Sequence, residues 1–87
     1  MVSVVFSHNI ERAEAFISKR FVEQRNFKWT TDKLTARNPA NGHCIRWCST
    51  PEQIKTIEDI GVIYVDSKIS KDFARKHPDK DYVEFHI

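Results

Sequence analysis

An Asn-Gly step, Asn41-Gly42, sits between two runs of alternating side chains, and it most narrows what this chain can become. Both residues tolerate positive φ, so the step is a strong signal for a β-hairpin. Two registers fit: Asn41-Gly42 as a two-residue turn, or Pro39 to Gly42 as a four-residue loop. They differ by an even number of residues, so either one sorts the flanking side chains identically. Lys33, Thr35, Arg37, Cys44, Arg46 and Cys48 share one face. Leu34, Ala36, Ile45 and Trp47 share the other, with His43 near the turn. The pattern predicts one face in a core and one cationic face open to solvent.

The rest of the chain supplies elements around this hairpin. Val2 to Phe6 is rich in β-formers and reads as a first strand. Ser7, His8 and Asn9 can cap a helix whose apolar positions Ile10, Ala13, Phe16, Ile17 and Phe21 keep helical spacing to about Arg25. Phe27 to Thr30 is extended and leads into the hairpin. Thr50-Pro51-Glu52-Gln53 combines a cap, a proline at the first helical position and a capping-box partner. Ile54, Ile57 and Ile60 would form that helix's buried stripe, with Gly61 as a left-handed cap. Val62 to Val65 reads as a buried central strand. Ser70 to Lys76 reads as a short helix ended by Pro78. Tyr82 to Ile87 alternates strictly, with Val83, Phe85 and Ile87 on one side.

The order β-α-β-β-α-β, then a short helix and a strand, predicts an α+β fold: a ferredoxin-like two-layer sandwich with a C-terminal addition. A three-layer domain with a mostly parallel sheet is the competing architecture. With 87 residues, two Gly and three Pro, one domain over residues 1–87 is expected. The start of the chain carries no charged leader or sustained apolar region, and two cysteines make no disulfide framework. These features point to a cytoplasmic protein without a membrane partner.

A net charge of +2 hides an asymmetry: residues 1–50 carry +4 and residues 51–87 carry −2. Arg25, Lys28, Lys33, Arg37 and Arg46 form the candidate nucleic-acid-binding set, because cations on an open sheet can neutralise phosphates. The leading expectation is a small non-enzymatic regulator that binds DNA or RNA with weak sequence specificity. The β-α-β-β-α-β order resembles that of RNA-recognition-motif domains. Their third strand is rich in Gly and aromatics, a pattern that His43 to Cys48 does not carry. Of the aromatics, Trp47 is expected in the core, and Phe27 and Trp29 lie beside the cations.

Two further readings compete. Tyr82 to Ile87 could be an edge strand that pairs with another chain, making this a homodimer, an inhibitor or an assembly module. Small phage and mobile-element accessory proteins are of this size. Asp66-Ser67-Lys68 has the acid-x-Lys spacing of metal-dependent nucleases, with Asp66 alternatively a turn residue at a strand end. Val62 to Asp66 is also similar to the second nucleotide-binding motif of helicase and terminase ATPases. The chain has no Gly-x-x-x-x-Gly-Lys-Ser/Thr loop, and Ser67 stands where an acid would activate water, so ATP hydrolysis is not expected. No cofactor or metal is expected: Cys44 and Cys48 lie about 13 Å apart along a strand, too far to share an ion.

Overall fold

The computed structural model describes residues 1–30 and 35–87. It is an α+β fold with a mixed six-stranded sheet. In chain order the strands are β1 (Val2–Phe6), β2 (Lys28–Trp29), β3 (Thr35–Arg37), β4 (Cys44–Cys48), β5 (Ile60–Asp66) and β6 (Val83–Phe85). Helices α1 (Ile10–Ile17), α2 (Pro51–Lys55) and α3 (Ser70–Lys76) lie between them. Across the sheet the order is β2-β3-β4-β1-β5-β6.

The ferredoxin-like layout requires an antiparallel sheet with helices on one face, and that is not what forms. β1 runs parallel to both neighbours, β4 and β5, and β6 runs parallel to β5. Only β2-β3 and β3-β4 are antiparallel. The cause is one extra reversal of the chain. If Phe27 to Thr30 merely led into the hairpin, β4 would return antiparallel to β1. Instead Lys28–Trp29 is a strand of its own, antiparallel to β3, and this added reversal turns β4 parallel.

Helices cover both sides of the sheet, because alternation along β1 sends its side chains to two separate cores. Val5 joins Ala13, Phe16, Ile17 and Phe21 of the α1 layer, with Ala36, Ile45 and Phe85 from other strands. Val4 and Phe6 join Ile54 of α2, Phe73 of α3, and Cys48, Ile63 and Val65. Each core has an aromatic centre. Phe16 stacks on Phe85 with centroids 4.2 Å apart, and Phe6 packs against Phe73 at 5.3 Å.

Local chemistry explains most boundaries. Asn9 caps α1, its side chain accepting from the Glu11 and Arg12 amides at 2.8 and 3.2 Å. The helix then widens into a π-helical turn over Ser18–Val22, and Asn26 leaves it at φ 60°. Of the two hairpin registers, the four-residue loop forms: Arg37 pairs with Cys44, and the Asn38 amide bonds to the His43 carbonyl at 2.8 Å. Gly42 sits at φ +74°, the left-handed conformation that suits glycine.

The second helix is shorter than its isoleucine spacing suggests. It ends at Lys55, with the Thr56 hydroxyl donating to the Gln53 carbonyl at 2.8 Å. Asp59 at φ 57° takes the left-handed turn expected of Gly61. Gly61 belongs to β5 and lies against the Met1 side chain. Ile57 and Ile60 still pack on the second core from outside the helix.

Candidate nucleic-acid interface

Strand register determines which of the predicted cations meet. Lys28 on β2 stands directly opposite Arg37 on β3, so the two side chains share a face. Arg37 pairs with Cys44 on β4, and Thr35 pairs with Arg46. Arg46 is thus the diagonal neighbour of Arg37, at roughly 7–8 Å by sheet geometry. Lys28, Arg37 and Arg46 are all exposed. Among the described residues none of the three has a carboxylate within ion-pairing distance.

This cationic face is open only over β2, β3 and the first half of β4. Further along, α2 and α3 cover it, which is why Cys48 is buried beside Ile54 rather than exposed with Arg46. The expectation of a whole sheet surface left to solvent is corrected accordingly. Where the helix layer stops, a groove of about 430 Å³ runs between the sheet and the end of α2. Val2 and Ile57 give it apolar walls, while Arg46, Thr35, Thr56 and Glu58 give it polar ones.

Arg25 does not join the strip. Its guanidinium lies 5.7 Å over the Phe21 ring, and Phe21 belongs to the α1 core on the opposite side of the sheet. Lys33 lies outside the described residues. The aromatics are also turned away. Trp29 and Trp47 pack against the α1 core, and Trp47 donates its indole N–H to the Ser7 carbonyl at 2.9 Å. Phe27 is buried in that core.

His43, Cys44 and Cys48 do not converge. His43 shares a 2.9 Å hydrogen bond with the Ser3 hydroxyl and packs on Phe27, on the α1 side. Burial lowers its pKa, and the N-terminal ammonium and Arg25 act in the same direction. Cys44 points to the other face, and burial raises the pKa of the Cys48 thiol. Among the described residues, no group of three or more His, Cys, Asp or Glu side chains is placed to hold a metal ion.

Asp66 ends β5 at the carboxyl edge of the parallel strands, where open α/β sheets often bind ligands. Here its carboxylate is fully engaged. One oxygen accepts from Arg12 Nε at 2.7 Å and Ser7 Oγ at 2.9 Å. The other accepts from Arg12 Nη2 at 2.8 Å and the Lys68 amide at 3.1 Å. A carboxylate has about four lone-pair sites, so none is left for a cation. These bonds, led by Arg12, hold the Asp66 pKa down at about 2. Lys68 contributes its backbone to this turn, and its side chain is exposed. No sequence signal announces the Arg12 partnership, because the two residues lie 54 positions apart.

Comparison with known protein families, characterised proteins and solved structures finds no match for this chain. Among the described residues no helix is long and apolar enough to cross a membrane. The functional reading therefore rests on the geometry of the open half-face.

Proposed function

We propose that this protein binds nucleic acid without catalysis, through the open half-face carrying Lys28, Arg37 and Arg46. The observation that supports this reading most is the direct opposition of Lys28 and Arg37, with Arg46 diagonal to Arg37 and, among the described residues, no carboxylate within ion-pairing distance of the three. Like charges directly across a strand pair are destabilising. A bound phosphate would relieve that repulsion. Lys28 alone could be explained as protection of an exposed edge strand. Arg37 and Arg46 sit on interior strands, where that role does not apply.

The strip offers charge and little else that reads bases. The neighbouring aromatics face the α1 core, so stacking platforms are lacking on this side. Binding is therefore backbone-directed, weakly sequence-specific and salt-dependent. The saturated carboxylate of Asp66 supports a binding role over Mg²⁺-dependent cleavage. The test is fluorescence anisotropy with labelled single- and double-stranded DNA and RNA. Lys28→Glu, Arg37→Glu and Arg46→Glu combined should abolish binding while the circular dichroism spectrum stays unchanged. Binding that survives this triple reversal, or no binding at low salt, would remove the reading.

A further inference from the structure

β6 forms the edge of the sheet opposite β2, and its outer side is open for pairing. Parallel pairing with β5 fixes which backbone groups face inward. The Phe85 carbonyl accepts from the Ser67 amide at 2.9 Å, so Phe85 and Val83 turn their polar groups toward β5. By alternation the N–H and C=O groups of Glu84 point outward, and so does the His86 N–H, which is trans to the inward Phe85 carbonyl. Two of the side chains on this edge are large, apolar and open. Val83 is 50% exposed and Ile87 61% exposed, two of the four large apolar residues left open among the described residues.

The geometry points to a second copy of this chain as the occupant, pairing antiparallel along β6 about a two-fold axis at Phe85. An axis at Phe85 keeps like charges apart and sets the outward backbone groups face to face. A two-fold axis at Glu84 would set two carboxylates against each other. Centred at Phe85, Glu84 faces the partner's His86, and their outward backbone groups meet as hydrogen-bonded pairs. Glu84 and His86 are already compatible neighbours within one chain, with Oε1 and Nε2 3.0 Å apart. The same centre sets Val83 against the partner's Ile87, joining the two exposed apolar side chains. Ile87 also borders a pocket of about 270 Å³ with Ala15 and Phe16 among its lining residues, so the partner's Val83 lands at its mouth. Glu84 also accepts a hydrogen bond from the Ser70 hydroxyl of its own chain, which holds its carboxylate in place. This interface is independent of the cationic strip at the other end of the sheet.

Sedimentation equilibrium of the full chain tests it. A dimer should be present at roughly 100 μM, in the range of modest interfaces. Glu84→Lys should weaken association roughly tenfold or more, since an ammonium in place of the carboxylate would then face the partner's His86. His86→Glu should do the same by opposing two acids. Glu84→Lys combined with His86→Glu should restore the dimer, because the swap recreates one cation opposite one anion. That recovery also separates a lost contact from a damaged fold. A monomer at this concentration, a dimer indifferent to Glu84→Lys, or a failed rescue would overturn the proposal. So would capture of a foreign strand on β6 by a chain that stays monomeric.

Discussion

Asp66 shows what a single buried carboxylate contributes. Its pKa falls from an ordinary value of ~4 to about 2 because Arg12, the Lys68 amide and Ser7 all favour the ionised form. A depressed folded-state pKa stabilises the fold above the unfolded value, and the contribution disappears as pH falls toward 2. The size is about 2 kcal/mol at neutral pH. Urea unfolding at pH 7, 4 and 2.5 should therefore show stability lost mainly below pH ~5, and Asp66→Asn should flatten that loss. Asp72 is also held low, by Lys76 and Arg75, but it is partly exposed and solvent screens its share. The sequence identified Asp66 as either a turn residue or a metal ligand. The turn role is present in its bond to Lys68, while the arginine that engages two more of its lone pairs comes from a distant helix.

At the scale of elements, short-range chemistry was the most legible part of the chain. Thr50-Pro51-Glu52-Gln53 starts a helix where its spacing says, and Gln53 Oε1 accepts from the Ser49 and Thr50 amides at 2.7 and 3.2 Å. Gln53→Ala should cost about 1 kcal/mol by removing this reach-back, read as a lower urea midpoint with an unchanged slope. Ser70–Lys76 forms with the predicted bounds. Two expectations fail at this scale, each for its own reason. Lys28–Trp29 is two residues long, too short to carry a period, and it exists because β3 offers it a partner. Asp59, not Gly61, turns left-handed, because α2 stops at Lys55 and the turn comes earlier in the chain.

Across the whole molecule, sheet order separates two surfaces at opposite edges. The cationic strip on β2-β3-β4 should yield a salt dependence set by the phosphates it neutralises. Three contacts give a log–log slope of about −2 on single strands and nearer −3 on duplex, measured by anisotropy across a salt series. Arg25→Glu should leave that slope unchanged, since Arg25 lies over Phe21 beyond the sheet. Lys28→Glu alone should reduce its magnitude by about one contact's worth. A slope that responds to Arg25 and ignores Lys28 would move the binding surface to the α1 side.

Alternation by itself determined which side chains travel together. Arg37 and Arg46 share a face because a strand's period is two and the two hairpin registers open to this sequence differ by an even number of residues. Capping residues likewise determined where α1 and α2 begin. Whether a face is open or covered was a tertiary decision. Cys48 shares the period of Arg46 yet is buried, because α2 returns across that half of the sheet. The direction of β1 relative to β4 was equally beyond local reading. It depends on the parity of chain reversals, and a two-residue strand changed that parity. Arg12 meets Asp66 for the same reason: β1 and β5 run side by side in parallel, which brings the start of α1 to the end of β5.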